Sequence, residues 1–148
     1  MKNIPSVVLK FNLILIFLCS TISFAQSEDI DVPFAYLEDV PRFPNCTEVP
    51  NEDAKECFIK EMNNHILTNF NYPKKARKQK IQGRVTVLFI INQEGDIKIY
   101  KTHTPEGCEL LAEEAERIIK LLPKFKPGEQ RGKPVSVSYA QPILFKLN

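Results

Sequence analysis

The sequence predicts an α+β fold, a two-layer sandwich in which two main helices cover one face of a three-stranded antiparallel sheet. Two segments carry apolar residues every three or four positions, as helices do, and three segments alternate as strands do. These segments follow one another as helix, hairpin, helix and strand. A chain of 148 residues, 43% of them hydrophobic and 26% charged, has room for one modest domain of this kind.

The first helix is predicted to begin at Asn51, which can cap it, and to end by Asn69. Acidic residues in its first turn suit the positive end of the helix dipole. Its apolar positions recur every four residues: Phe58, Met62 and Ile66. A short basic helix is predicted over Lys74 to Lys80, because Pro73 can start a helix and Gly83 ends the stretch.

A β-hairpin is predicted from Arg84 to about His103, with Gly95 supplying the positive backbone angle of its turn. The alternating residues of its first strand are Val85, Val87, Phe89 and Ile91. The second main helix follows Pro105 and ends before Pro123. Its apolar stripe consists of Leu111, Ala115, Ile118 and Leu122.

The last strand is predicted to run from Val135 to Leu147, because its apolar residues share one phase. Pro142 lies in the other phase and has no N–H to donate, which indicates that this strand has an unpaired side. Because it returns after a helix, the strand is expected to flank the hairpin and to form an edge of the sheet.

Residues 1–25 are predicted to be a cleavable signal peptide. Lysines precede an apolar run, and small residues at Ser23 and Ala25 precede the expected cleavage point before Gln26. The alternative is an uncleaved anchor, but a spanning helix needs about 20 apolar residues. Removing the two lysines of this segment from the total of 20 basic residues leaves 18 against 18 acidic ones, so net charge indicates no polyanionic partner.

Residues 26–44 are predicted to form an extended leader, because prolines and acids occur there without an apolar period. The folded domain is expected to comprise residues 45–148. Three cysteines remain after cleavage, and a Cys46–Cys57 disulfide would contribute about 3 kcal/mol through loop closure. A redox pair is the functional alternative, but this spacing lacks the Cys-x-x-Cys geometry that tunes thiol reactivity. Cys108 is then predicted to be a free thiol.

Several motifs follow one another in order: Tyr72-Pro73-Lys74-Lys75-Ala76, Gly83-Arg84-Val85-Thr86-Val87-Leu88-Phe89, and Leu122-Pro123 with Pro127-Gly128. In this combination, the region from roughly residue 43 to residue 148 resembles the carboxy-terminal domain of TonB, the protein that delivers inner-membrane energy to outer-membrane transporters. The resemblance implies a periplasmic domain that captures a short extended segment, the TonB box, at the plug of a TonB-dependent transporter.

Strand addition is the binding mode that the resemblance implies, because an edge strand offers main-chain hydrogen bonds to an extended segment. In the family, the last strand supplies this edge and the segment around Tyr-Pro also touches the box. The docking residues that this implies are Thr68, Asn69, Phe70, Asn71, Tyr72, Val135, Ser136, Val137, Ser138 and Tyr139.

The chain is also expected to differ from a full TonB. A full TonB has an uncleaved anchor and a long Pro-rich spacer, and this chain is expected to have neither. The expected function is therefore a periplasmic interaction module associated with energy-coupled transport. A membrane-anchored energy transducer, if residues 1–25 are retained, and a soluble periplasmic adaptor with an unrelated protein partner are the alternatives. Edge strands can also pair between identical chains, which leaves a homodimer open.

No enzyme, cofactor or metal site is expected. His65 and His103 are the only histidines, and neither has a second ligand at the spacing that a zinc site uses. No Gly-x-Ser-x-Gly motif or phosphate loop occurs. The basic run from Lys74 to Lys80 is not expected to bind nucleic acid in an exported protein. Anionic lipid headgroups or an acidic partner are the functional alternatives to an ordinary charged helix face.

Overall fold

The computed structural model describes residues 31–147, so the predicted signal peptide lies outside the described residues. The helices are α1 (Asn51–Asn69), α2 (Lys74–Lys78) and α3 (Glu109–Lys120). The strands are β1 (Val32–Pro33), β2 (Gly83–Ile91), β3 (Ile97–His103), β4 (Gly128–Gln130), β5 (Lys133–Val135) and β6 (Val137–Phe145). Over this part of the chain, no helix combines the length and the apolar character that crossing a bilayer requires.

The main sheet has four strands in the order β1-β6-β2-β3. β2 is antiparallel to both β3 and β6, whereas β1 is parallel to β6. The predicted three-stranded antiparallel sheet is therefore correct for the three long strands and incomplete for the whole. It omits β1, because two residues are too short to show an alternating pattern. It also omits the separate two-stranded sheet that β4 and β5 form.

The last strand differs from its prediction in extent and in position. Val135 pairs with Gly128 in the small sheet, and β6 begins only at Val137. β6 lies between β2 and β1, so its first two residues are not at an edge. The alternating pattern could not show this, because apolar residues keep the same phase on both sides of the break at Ser136.

The hydrophobic core lies between the sheet and the two main helices. Phe58 of α1 is fully buried at its centre, with its ring centroid 5.2 Å from that of Tyr139 on β6. Phe34 and Phe43 of the leader also pack against Phe58, at centroid distances of 4.6 and 5.4 Å. The leader therefore contributes large buried side chains to the core, although its sequence shows no apolar period.

A disulfide and a buried arginine hold the leader to α1. Cys46 and Cys57 are joined, with 6.1 Å between their Cα atoms, and Cys108 is a free buried thiol. Arg42 is only 3% exposed and donates hydrogen bonds to the backbone carbonyl of Cys46 and the side chain of Asn51. It also pairs with the Asp39 carboxylate at 3.0 Å, so its buried charge is compensated.

Candidate docking site

The outer side of β6 is defined by the direction of its backbone groups, which alternates along a strand. The N–H of Val32 on β1 donates to the Ser136 carbonyl at 2.9 Å. On the opposite side, the N–H of Leu147 donates to the Gln82 side chain, beside β2, at 2.7 Å. Even-numbered residues of this segment therefore direct their backbone N–H and C=O groups away from β2.

The leader covers only the beginning of this outer side. Val32 and Pro33 pair with Val137 and Ser138, and the Phe34 ring then turns onto Tyr139 with 4.9 Å between centroids. On this outer side, no strand among the residues that the structure describes pairs with β6 beyond Ser138. Residues 140–146 form what we call the open edge. Pro142 lies in its outward phase, where a missing N–H interrupts no ladder, as its position in the sequence predicts.

A groove runs beside the open edge, with the C-terminal half of α1 as its other wall. It has a volume of about 550 Å³. Its lining residues are Asn63, Ile66, Leu67 and Phe70 on the helix side and Gln141, Pro142, Ile143, Leu144 and Lys146 on the strand side. Leu67 is 76% exposed and Leu144 is 59% exposed. This docking groove thus presents apolar side chains next to backbone groups that lack a strand partner.

Of the predicted segment from Thr68 to Tyr72, Phe70 lines the end of the docking groove, whereas Thr68 and Asn69 line a separate pocket on another side of α1. The Phe70 ring packs against the buried Phe145 ring of β6, with 5.1 Å between centroids. Two residues of α3 fix the backbone here, because Glu114 accepts a hydrogen bond from the Asn71 N–H and Arg117 donates one to the Asn69 carbonyl. These bonds are 2.9 and 2.6 Å long. The predicted docking segment is therefore held rigidly by α3.

Tyr72 is nearly buried behind this segment. Its hydroxyl donates to the backbone carbonyl of Ile81, which ties the start of α2 to its end. Burial raises the pKa of the Tyr72 phenol, while the nearby Arg77 guanidinium works in the opposite direction. The hydroxyl is therefore a proton donor throughout the physiological pH range, and the Tyr-Pro motif has a structural role here.

The other predicted docking segment, from Val135 to Tyr139, lies elsewhere. Val137 is fully buried, Tyr139 stacks in the core, and the Ser136 carbonyl already accepts a hydrogen bond from the leader. The six residue-to-residue steps along the strand from Tyr139 to Phe145 span about 20 Å. Of the first predicted segment, the structure brings Phe70 to the docking groove, and it places the start of the second segment under β1. The sequence predicts the unpaired side of the last strand from Pro142, but it places the docking residues at Val135 to Tyr139 instead of residues 140–146 and does not show the α1 wall.

His65 is engaged within the fold. Its Nε2–H donates to the Ile118 carbonyl at 2.9 Å, and its Nδ1 accepts a hydrogen bond from the Asn69 side chain at 3.3 Å. The first bond connects α1 to α3, and the second lies within α1. This arrangement gives His65 a role in packing α1 against α3.

The carboxy-terminal part of the chain matches a known protein family. The profile of the family described as Gram-negative bacterial TonB protein C-terminal matches residues 68–147. The chain belongs to this family. TonB C-terminal domains are interaction domains rather than enzymes, and the matched region contains Tyr72, the open edge and most of the docking groove.

Two solved structures are similar to this TonB C-terminal domain, and both are NMR structures of the Helicobacter pylori TonB C-terminal domain with 29% sequence identity. The structure of residues 179–285 of that protein aligns over 69% of this chain and 87% of its own, with a TM-score of 0.43. The structure of residues 194–285 aligns over 60% of this chain and 92% of its own, with a TM-score of 0.37. No curated protein sequence matches the chain.

Proposed function

We propose that this TonB C-terminal domain is a periplasmic interaction module that binds the TonB box of an outer-membrane TonB-dependent transporter. The box adds as a strand to the open edge of β6. The observation that carries this proposal is the outer side of β6 at residues 140–146, which has no strand partner in the described chain and lies beside an apolar groove. Such an edge supplies main-chain hydrogen bonds to an extended segment, and the groove supplies contacts for its side chains.

The docking residues of the proposal follow from the geometry. The backbone groups of Ala140 and Leu144 would pair with the box, while Leu67 and Phe70 would contact its side chains. Phe70 lies at one end of the groove and would make the contact with the box that is expected of the segment from Thr68 to Tyr72. At the other end, β1 covers Val137 and Ser138, so pairing begins at Ala140.

Whether the module transmits energy depends on residues 1–25. Mass spectrometry of the protein from fractionated cells decides between the two alternatives. A first residue of Gln26 in the periplasmic fraction supports a binding module that acts as an adaptor. An intact amino terminus in the inner membrane supports a membrane-anchored energy transducer.

Peptide binding tests the docking mode. Labelled peptides from the plug segments of the organism's own TonB-dependent transporters are titrated with the domain, and fluorescence anisotropy gives the Kd. Ala140→Pro removes an outward N–H that makes no ladder bond, so it should weaken binding at least about tenfold, or about 1.4 kcal/mol, with little change in Tm. Gln141→Pro removes an inward N–H opposite Val87 and should lower the Tm strongly.

A pair of α1 variants provides an independent test that does not depend on tolerance of proline. Leu67→Glu introduces a charge into the docking groove and should weaken binding. Ile59→Glu introduces the same charge at a position that is 44% exposed and does not line the groove, and it should leave the Kd unchanged. Equal affinities for Leu67→Glu, Ala140→Pro and the unaltered domain would contradict edge docking.

A further inference from the structure

A second pocket adjoins the docking groove where β6 ends. It has a volume of about 790 Å³, and Phe70 and Lys146 line both the pocket and the groove. Three of its lining residues carry a positive charge: Arg77, Lys80 and Lys146. None of the described aspartates and glutamates lines it. We call these three side chains and the space between them the cationic pocket.

The charges of the cationic pocket have no carboxylate partner in the part of the chain that the structure describes. Among residues 31–147, none of the three cations forms an ion pair with a carboxylate. Other lysines of the domain do so, as Lys120 pairs with Glu116 and Lys124 with Asp96. Three like charges around one concave surface repel one another, so an anion bound between them would be stabilised by all three.

The pocket is also built on a fixed backbone. The Arg77 guanidinium lies 5.7 Å from the centroid of the Tyr72 ring, in a cation–π arrangement. Lys80 adopts a left-handed conformation, with φ of 56°, that ends α2 and turns the chain toward β2. The Gln82 side chain accepts the Leu147 N–H and so attaches the end of β6 to the same loop. The three cations therefore converge from two elements whose relative position is set by hydrogen bonds.

We propose that the cationic pocket binds a carboxylate side chain of the segment that docks on the open edge. The partner is an extended peptide whose apolar part lies in the docking groove and whose acidic residue lies just beyond Lys146. This inference rests on the proposed function, because the continuity of the pocket with the docking groove identifies the anion as part of a peptide. The three cations line a concave pocket at the end of the docking groove. A pocket of this shape can enclose a single side chain, whereas a membrane surface is flat.

Carboxylate recognition of this kind has a defined physical signature. Arg and Lys form charge-assisted hydrogen bonds with carboxylates, and such bonds are about twice as strong as neutral ones. Because the cations are accessible to solvent, salt screens their attraction, so affinity for an acidic segment should fall as ionic strength rises. The main-chain hydrogen bonds of the open edge do not share this dependence.

Three synthetic peptides test the proposal. All three have blocked termini and the same short core of alternating Val and Thr. The first peptide has two glutamates at its amino end, and the second has two glutamates at its carboxyl end. The third, neutral peptide has glutamines at both ends. One acidic peptide should bind the domain at least tenfold more tightly than the neutral peptide at low salt. We call the Kd of the neutral peptide divided by that of the acidic peptide the charge ratio. In the double variant Lys80→Glu with Lys146→Glu, this ratio should fall to about one.

The matched control is Lys74→Glu with Lys78→Glu, which changes the net charge equally at residues of α2 that do not line the pocket. This control should retain the tenfold ratio. Loss of the ratio in both double variants would assign it to general charge and overturn the cationic pocket. An equal Kd for all three peptides would also overturn it.

The two proposals fail in different ways. If Ala140→Pro weakens all three peptides and charge has no effect, edge docking stands and the cationic pocket is wrong. If the acidic peptide is preferred but Ala140→Pro has no effect, the pocket stands and edge docking is wrong. Sedimentation with phosphatidylglycerol vesicles that is lost in the Lys80→Glu, Lys146→Glu variant, without a peptide preference, would assign the pocket to lipid headgroups and overturn the peptide.

Discussion

The carboxylate of Glu114 accepts a hydrogen bond from the backbone N–H of Asn71 at 2.9 Å, across 43 residues of sequence. Glu114 is only 9% exposed and also accepts two hydrogen bonds from Arg117, at 2.8 and 2.7 Å. Arg117 in turn donates to the Asn69 carbonyl. Helix α3 therefore fixes the turn between α1 and α2, and this turn closes the end of the docking groove.

Replacing Glu114 should destabilise the domain and loosen this turn. In Glu114→Ala the Asn71 N–H loses its acceptor, which should lower the free energy of unfolding by about 1–3 kcal/mol. Urea denaturation measures the loss, and hydrogen exchange at the Asn71 amide should accelerate. Glu113→Ala, at an exposed position one residue earlier, is the control and should change stability by less than about 0.5 kcal/mol. Equal losses in both variants would show that the contact contributes nothing.

Much of the fold is predictable because the signal for each long element lies within its own residues. The first helix ends at Asn69 as predicted, although Asn51 is its first residue and does not cap it, and the predicted hairpin contains β3 and all of β2 except Gly83. The contribution of the leader is different in kind. β1 pairs with residues more than 100 positions away, and Phe34 becomes buried only because Phe58 and Tyr139 form a site for it. No local pattern contains that information.

The candidate site was predictable to the extent that it follows from local motifs. The Tyr-Pro motif marks the segment from Thr68 to Tyr72, and Phe70 of this segment lines the docking groove. No local pattern shows that the leader covers Val137 and Ser138, so the sequence predicts an edge at Val135 to Tyr139. The cationic pocket combines α2 with Lys146 at the far end of the chain, and only the tertiary fold brings these together.

Phe34 should be as important for stability as a residue of the central core. Its ring packs 4.6 Å from Phe58 and 4.9 Å from Tyr139, and the Lys55 ammonium lies 5.8 Å from its centroid. Phe34→Ala should therefore lower the free energy of unfolding by about 3–5 kcal/mol. The control is Tyr36→Ala, because Tyr36 is 78% exposed and should change stability by less than about 0.5 kcal/mol. Similar small effects of both would mean that the leader is peripheral.

The Cys46–Cys57 disulfide should account for a measurable part of the stability. The two cysteines are separated by 11 positions in the sequence. Loop closure over this length predicts that the free energy of unfolding falls by about 3 kcal/mol in the Cys46→Ala, Cys57→Ala variant. Dithiothreitol should reproduce this loss in the unaltered protein and in Cys108→Ala, but not in the double variant. Non-reducing peptide mapping should link Cys46 to Cys57, and a link to Cys108 would contradict the arrangement.

Gly95 is required by both its backbone conformation and its surroundings. Its φ is 84°, and its carbonyl accepts the Phe125 N–H at 2.9 Å. An added Cβ would lie 1.8 Å from the Phe125 carbonyl oxygen, so Gly95→Ala must move the backbone. Gly107 has a φ of 78° with no atom within 4 Å of its Cβ position, and Gly107→Ala should cost only the left-handed strain, about 1–2 kcal/mol. Thermal unfolding should show a clearly larger loss for Gly95→Ala, and equal losses would contradict the close approach.

Glu116 should make the stability of the domain depend on pH in the acid range. The Thr102 hydroxyl donates to its carboxylate at 2.7 Å, and this bond, with help from Lys120, lowers the pKa of Glu116 although partial burial opposes the shift. Because the folded state favours the charged form, its stabilisation is complete above the pKa of the unfolded chain, about 4.3, and is lost as the pH falls through the lower folded pKa.

Thr102→Val removes the principal cause of this shift and should raise the pKa of Glu116 toward its ordinary value. Because Glu116 is 34% exposed, solvent screens the interaction and the loss at neutral pH should be only about 0.5 kcal/mol. Urea denaturation from pH 7 to pH 2 should show the two stability curves converging as the pH falls below about 4.3 and meeting only below the lowered folded pKa of Glu116, where both proteins hold a protonated Glu116. Thr86→Val, which removes a hydroxyl from the neighbouring strand and leaves Glu116 untouched, should give a difference that does not change with pH. A constant gap between Thr102→Val and the unaltered protein over the whole range would show that the hydroxyl stabilises the fold without acting through the Glu116 charge.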